Sequence, residues 1–304
     1  MNAFVPVLEI GGTHVSAALV NTNLWAPVPG SSRREPLDSA GTSAEILGRI
    51  SRCATALGAE RDSTWGVAIP GPFDYANGIG TFEGVSKFDA LRGTNVRASL
   101  LDSIQPKPND IVFVNDAGAF ALGEWHAGAA AGHSRAAAIT LGTGVGSGFV
   151  AGGSLVEHGP EVPPEGRVDL LTVNAGPLED SVSRHAILAG YSRLRGEPND
   201  PNLDVRDVAQ LARVGDIAAR EAITAAVTTL GRVLAPWLEL FRASVLVVGG
   251  SMSGSWDLIL EPLKSGLTSV RPDLLRRMTV ARARHPETSG QVGAAVSSIQ
   301  AIKR

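Results

Sequence analysis

The sequence contains little of what several classes of protein require. It has one cysteine, Cys53, which excludes a disulfide within the chain and a cysteine-rich zinc site. The net charge is −3, so the chain has no basic excess for binding nucleic acid. No apolar run approaches the roughly 20 residues of a membrane-spanning helix, and no signal peptide is visible. These absences predict a cytoplasmic protein that binds neither nucleic acid nor a membrane.

Several motifs of nucleotide and metal sites are also missing. Glycine is never followed by lysine, which excludes the P-loop motif. The glycine-rich segment GTGVGSG, residues 142–148, lacks the spacing of a dinucleotide-binding fingerprint and precedes a strand pattern rather than a helix. The six histidines form no H-x-x-x-H pair, and neither His158 nor His185 has a cysteine or second histidine nearby in sequence. Any bound nucleotide must therefore be held by another arrangement.

The chain is rich in glycine, with 35 residues, and three clusters end predicted strands. They are Gly11-Gly12-Thr13, Gly142-Thr143-Gly144 and Gly249-Gly250. The first lies between the predicted strands Phe4–Ile10 and His14–Val20, which is typical of a β-hairpin. Glycine also lets an anion approach the backbone N–H groups of a turn closely. Each cluster alone fits a plain turn, whereas three of them favour a nucleotide held by hairpins.

Strand and helix patterns alternate along the 304 residues, which predicts an α/β fold long enough for two domains. A strand–glycine–strand pattern opens each half of the chain. Apolar spacing and end signals predict helices over Thr42–Gly58, Asp116–His126, Glu179–Leu188, Val205–Ala212, Asp216–Phe241 and residues 289–304.

The pair Asn115-Asp116 stands where a short buried strand, Ile111–Val114, meets a predicted helix. One reading is a helix N-cap, because asparagine and aspartate are preferred there. The other is a general base at the carboxyl end of a strand, where open α/β sheets bind ligands. A phosphoryl transferase needs such a carboxylate to accept the proton of the attacking hydroxyl. In this second reading, Asn115 binds another hydroxyl of the same substrate.

Three carboxylates, Glu161, Glu165 and Glu179, lie in or beside a segment rich in proline and glycine, residues 157–180. Carboxylates in exposed loops are commonly only solvated. A polyol ligand, however, is well held by carboxylates that accept hydrogen bonds from neighbouring hydroxyls. The residues alone leave both readings open.

Taken in order, these segments resemble the ROK family of sugar kinases over nearly the whole chain. The segments that carry the resemblance are LEIGGTHVSAALV (8–20), GVAIPGPFDYANG (66–78), VNDAGAFALGEW (114–125), ITLGTGVGSGFV (139–150) and VLVVGGSMS (245–253). The third is the most specific match. The resemblance implies an actin/hexokinase-type fold: two ribonuclease-H-like α/β lobes with an active-site cleft between them. The expected lobes are 1–114 with 290–304, and 115–289.

The resemblance also implies a reaction and roles for single residues. The expected reaction transfers the γ-phosphate of ATP, with Mg2+, to a hexose or amino-hexose hydroxyl, O6, in a homodimer. Asp116 is the implied general base. The implied sugar ligands are Asn115, Asp116, Gly71, Glu165 and Glu179. The residues implied to bind ATP are Gly11, Gly12, Thr13, Gly142, Thr143, Gly144, Gly249 and Gly250.

The sequence departs from the family pattern at two places. Val168 stands where many members have a histidine that binds sugar and zinc, and the cysteines of the following loop are absent, so no zinc site is expected. Glu9 stands where the family usually has an aspartate near Mg2+ and the phosphates. Glutamate keeps the charge and is one methylene longer, so Glu9 is expected to contact Mg2+ directly or through water.

Three other functions are compatible with parts of the pattern. Polyphosphate could replace ATP as the donor, as in some members of the family. The altered Glu9 and the altered loop would also suit a sugar-binding protein without catalysis. Sugar-sensing transcription regulators of the family carry a helix-turn-helix domain ahead of the kinase-like part. A regulator is not expected here, because eight residues precede Glu9 and the chain has no basic excess.

Overall fold

The computed structural model describes residues 3–84, 87–198 and 200–303. The strands are β1 (Phe4–Ile10), β2 (His14–Asn21), β3 (Ala26–Pro27), β4 (Arg33–Pro36), β5 (Thr64–Ile69), β6 (Phe73–Asp74), β7 (Ile79–Gly80), β8 (Asp110–Asn115), β9 (Arg135–Leu141), β10 (Val145–Ala151), β11 (Ser154–Leu155), β12 (Thr172–Val173), β13 (Gly176–Pro177), β14 (Val245–Gly249) and β15 (Thr279–Arg282). The α-helices are α1 (Ser43–Thr55), α2 (Val96–Ser103), α3 (Asp116–Ala127), α4 (Glu179–Val182), α5 (Arg184–Arg195), α6 (Val205–Arg213), α7 (Ile217–Leu240), α8 (Trp256–Val270) and α9 (Ser289–Ile302).

The chain divides into two units, Met1–Gly128 with His285–Arg304 and Ala129–Arg284, and each unit contains one main sheet. In the first, the strand order is β3-β2-β1-β5-β8, with β4 also paired to β2. The pair β1–β2 is antiparallel, whereas β1–β5 and β5–β8 are parallel. The second sheet has the order β11-β10-β9-β14-β15 with the same alternation of strand directions. The strand–glycine–strand pattern of each half thus forms the hairpin that opens each sheet.

Helix α1 shows why these segments fold as they do. Thr42 and Glu45 form a capping box, in which each side chain accepts a hydrogen bond from the other residue's backbone N–H. The apolar residues Ile46 and Ile50 share one face and are completely buried against the first sheet. The helix ends at Thr55, close to the glycine stop predicted at Gly58.

The second unit has its own apolar core. Strand β14 is buried along its whole length, as expected for a parallel strand covered on both faces. Helices α7 and α8 approach closely because glycines face each other. A Cβ on Gly231 would lie 2.9 Å from the Leu267 nitrogen and 3.0 Å from the Gly266 Cα. Close packing of this kind fixes α8 beside α7 within the unit.

The two compact units meet in sequence at 128/129 and 284/285, whereas the boundaries expected from the sequence were 114/115 and 289/290, so α3 lies in the first unit. The physical reason is its packing on α9. A Cβ on Gly123 would overlap the Ser289 carbonyl oxygen, and one on Gly293 would overlap the Ala119 carbonyl oxygen. The buried Glu124 carboxylate also accepts hydrogen bonds from the Ser289 hydroxyl at 2.6 Å and from the His285 N–H at 3.2 Å. Helix α3 is therefore joined to the helix that closes the chain.

One predicted helix, Glu179–Leu188, is broken in the structure into α4 and α5. Ser183 separates them in an extended conformation, and its hydroxyl accepts the Ala186 N–H at 3.3 Å. Serine is a preferred N-cap, so the residue that ends one helix begins the next. In the described part of the chain, no helix has both the length and the apolar character needed to cross a membrane.

Candidate active site

Parallel pairing brings four of the predicted site residues to one edge of the first sheet. Glu9 is the penultimate residue of β1, and Asn115 ends β8. Gly71 follows the end of β5 by two residues, while Asp116 directly follows β8. Because β1, β5 and β8 run in parallel, their carboxyl ends meet at the same edge. In open α/β sheets this edge is where ligands bind.

The structure bears out the N-cap reading of Asn115. Its Oδ1 accepts the backbone N–H groups of Ala117 at 3.1 Å and Gly118 at 3.2 Å. Its Nδ2 donates to the hydroxyl of Tyr75 at 2.9 Å, and that hydroxyl donates to the Ile69 carbonyl at 3.4 Å. No local pattern selects Tyr75, since the contact joins residues 40 positions apart. Capping thus holds the Asn115 amide in a fixed orientation at the strand ends.

Asp116 is the first residue of α3, and this position fixes its carboxylate. Its Oδ1 accepts the Ala117 N–H at 2.8 Å. A carboxylate in the first turn of a helix is favoured by the partial positive charge of the helix N-terminus. Asn115 caps the helix, and the Asp116 carboxylate is not needed for that task. The N-cap reading of the pair is therefore compatible with a role of Asp116 as a base.

Glu9 lies beside Asp116 and is largely shielded from water. Burial, together with repulsion from Asp116, raises the pKa of Glu9 to about 7, and Arg34 acts in the opposite direction. The carboxylate packs against Gly290 in the first turn of α9, where a Cβ would lie 2.6 Å from Oε1 and 2.9 Å from Cδ. Only glycine leaves room at position 290 for a side chain as long as glutamate in this position.

The first glycine cluster forms the turn between β1 and β2. The Gly11 N–H donates to the His14 carbonyl at 2.9 Å, which closes the hairpin. The Gly12 carbonyl accepts the Ser39 N–H at 3.3 Å, and the Thr13 hydroxyl lies 3.3 Å from His14 Nδ1. Burial and the charge of Arg34 lower the pKa of His14. The turn is therefore held by β2 through His14 and by the segment after β4 through Ser39, at the same sheet edge as Glu9.

In the second unit, the other two glycine clusters lie side by side. The Gly142 N–H donates to the Gly144 carbonyl at 3.0 Å and closes the turn between β9 and β10. Gly250 has a φ of +80°, and a Cβ there would overlap the carbonyl oxygen of Leu141, the last residue of β9. A Cβ on Gly142 would lie 3.4 Å from the Ser251 hydroxyl. Sequence positions about 110 apart thus form one small-residue surface because β14 pairs with β9.

Glu179 lies on this surface. Its Oε1 accepts the Val145 N–H at 3.0 Å, and a Cβ on Gly144 would overlap the same oxygen. The sequence predicted Glu179 only as a sugar ligand, whereas one of its oxygens is used to hold the second glycine turn. The sequence holds only a weak hint of this contact. Gly144 has no side chain, which leaves room for the Glu179 carboxylate at the start of α4.

The remaining loop carboxylates are ion-paired. Glu165 has a φ of +56° and lies 3.4 Å from Arg167, while Glu161 lies 2.9 Å from Arg135. The loop that carries Glu165 is fastened to β10 by Ser147. The Ser147 hydroxyl donates to the Gly166 carbonyl at 2.8 Å and accepts the Val168 N–H at 2.9 Å. The Glu165 side chain is 62% exposed and is therefore accessible to a ligand despite its ion pair with Arg167.

Val168, at the position of the family's histidine, is completely buried in the apolar core of the second unit. Among the described residues, no group of three or more His, Cys, Asp and Glu side chains could hold a metal ion. Mg2+ has different needs, since it keeps several waters and takes one or two carboxylates with substrate phosphates. Glu9 and Asp116 provide such a pair, and a divalent cation would relieve the repulsion between them. The donor set fits Mg2+ bound together with a phosphate.

Two α/β units with one strand order, glycine turns at the strand ends and a pair of carboxylates define the class. It is that of proteins with the actin/hexokinase-type fold. The sequence profile of the ROK family matches residues 6–300, so the protein belongs to the ROK family. The family inferred from the sequence motifs is therefore confirmed.

Individual relatives agree with this assignment. The chain is 27% identical over 311 aligned residues to the glucokinase of Thermotoga maritima, and 95% of each sequence is covered. It is 26% identical to the N-acetyl-D-glucosamine kinase of Pectobacterium carotovorum, covering 76% of this chain and 78% of that protein. A ROK family glucokinase from Streptomyces griseus, solved in complex with glucose and AMPPNP, superposes with a TM-score of 0.77 at 23% identity, covering 98% and 99%. The predicted actin/hexokinase-type α/β fold is confirmed.

Proposed function

We propose that this protein is an ATP- and Mg2+-dependent sugar kinase that phosphorylates a hexose or amino-hexose on O6. The observation that carries the proposal is the position of Asp116 at the first residue of α3, with the Glu9 carboxylate beside it. A carboxylate fixed at the carboxyl ends of parallel strands suits a general base for a bound hydroxyl. Relatives named glucokinase and N-acetyl-D-glucosamine kinase support this substrate class.

The sugar contacts are proposed from the hydrogen-bonding groups that the residues offer to hydroxyls. Asn115 and Gly71 lie at the strand ends beside Asp116 and offer an amide and a backbone to neighbouring hydroxyls. In the second unit, Glu165 is exposed, and Glu179 has a second oxygen, Oε2, besides the one that holds the turn. Carboxylates accept hydrogen bonds from two hydroxyls each, which suits a polyol.

The phosphate and nucleotide contacts are assigned to the glycine turns. Backbone N–H groups in such turns bind phosphate oxygens, and residues without large side chains let the phosphates approach. Gly11, Gly12 and Thr13 serve this role in the first unit. In the second unit the role falls to Gly142, Thr143 and Gly144, and the adjoining Gly249 and Gly250 border the adenosine.

The reaction is an in-line transfer in which the chain mainly positions the reactants. The oxygen of the sugar hydroxyl forms a bond to the γ-phosphorus. The bond from that phosphorus to the oxygen bridging the β- and γ-phosphates breaks, which leaves ADP. The proton of the hydroxyl passes to the Asp116 carboxylate. Asn115 keeps its amide oriented through the Tyr75 hydroxyl and the α3 N-cap.

Glu9 is the residue that would hold Mg2+. When bound, the cation neutralises charge on the phosphates. Its binding also requires the charged form of Glu9, whose pKa of about 7 in the protein alone falls when a cation is present.

The test is release of ADP, coupled to an optical assay, over a panel of hexoses, amino-hexoses and N-acetyl hexosamines. We expect at least one sugar to be phosphorylated, with the position of the new ester read by phosphorus NMR. Asp116→Asn keeps the size of the side chain and removes the base, so its turnover should fall by roughly 10²- to 10⁴-fold. The matched control is Asp110→Asn, at the opposite end of strand β8.

Each outcome of this test has one meaning. If Asp116→Asn retains the activity of the control, Asp116 is not the base. Turnover with polyphosphate and not with ATP would replace the donor. Sugar binding by calorimetry without turnover of either donor would indicate a sugar-binding protein without catalysis. The homodimer and the cytoplasmic location stay predictions, and sedimentation velocity tests the first.

A further inference from the structure

The side chain of Lys87 lies across the first glycine turn. A Cβ on Gly12 would be 3.3 Å from both Cδ and Cε of Lys87, so the aliphatic stem contacts the turn directly. The ammonium nitrogen is bonded to Cε and therefore lies at the turn as well. Nothing in the sequence pattern selects Lys87, because it is 75 positions from Gly12 in the chain.

The backbone holds Lys87 in this place. The Ser39 N–H donates to the Gly12 carbonyl at 3.3 Å, and the Phe88 N–H donates to the Ser39 carbonyl at 2.7 Å. Phe88 is completely buried and has a φ of +60°, a conformation that costs energy in a residue other than glycine. Its ring packs against Phe82 with centroids 5.3 Å apart. The segment next to Lys87 is thus tied to the turn through two successive hydrogen bonds.

The charges around the turn leave the ammonium available. Within the described residues, Lys87 forms neither a hydrogen bond nor an ion pair, and its side chain is exposed. Arg34 provides a second positive charge, close enough to lower the pKa values of both Glu9 and His14. Two cations beside a turn of backbone N–H groups form an environment for an anion with more than one negative charge.

We propose that Lys87 is a phosphate-binding residue, whose ammonium neutralises the terminal phosphate of the donor at the turn Gly11–Thr13. This inference rests on the proposed function, which places donor phosphates on that turn. Lysine acts here as a point charge at the end of a flexible stem, and the stem is ordered by its contact with Gly12. In phosphoryl transfer, positive charge at the transferred group lowers the barrier as well as strengthening binding.

The test compares Lys87→Met, which keeps the stem and removes the charge, with Lys87→Arg, which keeps a charge. Lys107→Met is the matched control, an exposed lysine of the same unit that pairs with Asp102. For Lys87→Met we expect kcat/KM for ATP to fall roughly 10- to 100-fold, as for loss of a charge-assisted contact, while KM for the sugar is unchanged. Lys87→Arg should recover most of the loss. Calorimetric binding of AMPPNP and tripolyphosphate should weaken in Lys87→Met, whereas binding of AMP should not.

The two proposals fail in different ways. If the wild type phosphorylates a sugar and Lys87→Met matches Lys107→Met in both assays, Lys87 is not a phosphate ligand and the kinase proposal stands. If no sugar is phosphorylated but only Lys87→Met loses affinity for AMPPNP, the kinase proposal is wrong and the role of Lys87 stands. Failure of the wild type to bind AMPPNP or tripolyphosphate overturns both. Thermal unfolding of each variant checks that the exposed substitution leaves the fold intact.

Discussion

The contact between Glu9 and Gly290 makes the length of the side chain at position 9 testable. A Cβ on Gly290 would lie 2.6 Å from Glu9 Oε1 and 2.9 Å from Cδ, and Cβ contacts below 3.0 Å essentially never occur. In Gly290→Ala the carboxylate must therefore retreat by most of an ångström from its place beside Asp116. A displacement of about 1 Å at a reacting centre can cost roughly 10²-fold in rate. We expect Gly290→Ala to lower kcat by roughly 10- to 100-fold and to raise the Mg2+ concentration needed for half-maximal rate.

In a protein that carries Glu9→Asp, Gly290→Ala is expected to be harmless. Aspartate is one methylene shorter, so its carboxylate no longer reaches the space that a Cβ at position 290 would occupy. In this background, Gly290→Ala should leave kcat almost unchanged. It should also stabilise α9 by about 1 kcal/mol, the difference in helix propensity between alanine and glycine. The assay is ADP release at varied Mg2+ for the four proteins of the double-mutant cycle, with thermal unfolding of each.

A helical glycine with free space supplies the control. A Cβ on Gly48 in α1 would meet only the Arg52 guanidinium, at 3.7 Å. Gly48→Ala should therefore show the gain in helix propensity without any change in kcat or Mg2+ dependence. If Gly290→Ala loses as much activity with Asp at position 9 as with Glu, the two side chains are not coupled. The steric explanation for the longer carboxylate is then refuted.

Two further predictions concern carboxylates of the site. The pKa of Glu9 is about 7 in the folded chain against 4.5 as its ordinary value, so the folded state binds more protons between these pH values and is destabilised as pH rises through them. Glu9→Gln should therefore have a larger free energy of unfolding than the wild type at pH 8 without Mg2+, by up to about 3 kcal/mol, and the difference should shrink toward pH 5. Thermal unfolding at both pH values measures it, and a difference that does not change with pH would contradict the pKa shift. Glu179→Ala should raise KM for ATP as well as for the sugar, because Glu179 holds the Val145 N–H of the second turn, whereas Glu165→Ala should raise only the sugar KM. Steady-state kinetics of both variants, with ATP and with the sugar varied, tests this difference. An unchanged KM for ATP in Glu179→Ala would contradict the proposal that Glu179 holds the second glycine turn for ATP.

Local patterns predicted most of the elements around the site. The strand Phe4–Ile10 has the predicted ends, and α3 begins at Asp116 because Asn115 caps it as its residue type suggests. Helix α1 begins at its capping box. Ser183, a cap inside a predicted helix, carried a local signal of the same kind that the apolar spacing obscured. Where a side chain interacts with its own neighbours in sequence, the sequence therefore predicts its place.

Contacts between distant segments were not predictable from such patterns. Tyr75, which follows the short strand β6, meets Asn115 at the end of β8. The stem of Lys87 contacts Gly12 because two hydrogen bonds, from Ser39 to Gly12 and from Phe88 to Ser39, hold the neighbouring backbone at the turn. The place of α3 in the first unit depends on its glycine contacts with α9, which a single sequence does not reveal. The contact of the Glu179 carboxylate with Val145 and Gly144 likewise joins residues more than 30 positions apart, so the sequence alone predicts only a ligand there.

The repeated sheet places different side chains at equivalent strand ends of the two units. Glu9 is the penultimate residue of β1, and Thr140 is the penultimate residue of β9, which occupies the same place in the second sheet. One unit thus presents a carboxylate, with Asp116 beside it, where the other presents a hydroxyl and the paired turns at Gly142 and Gly250. A carboxylate suits proton transfer and a cation, whereas hydroxyls and glycine backbones suit phosphates. Because a single topology offers equivalent strand ends twice, one side chain at a strand end distinguishes the two units. Under the proposed function, both glycine turns bind phosphates, and only the first unit adds the base and the cation. The extra methylene of Glu9 therefore acts in the first unit alone.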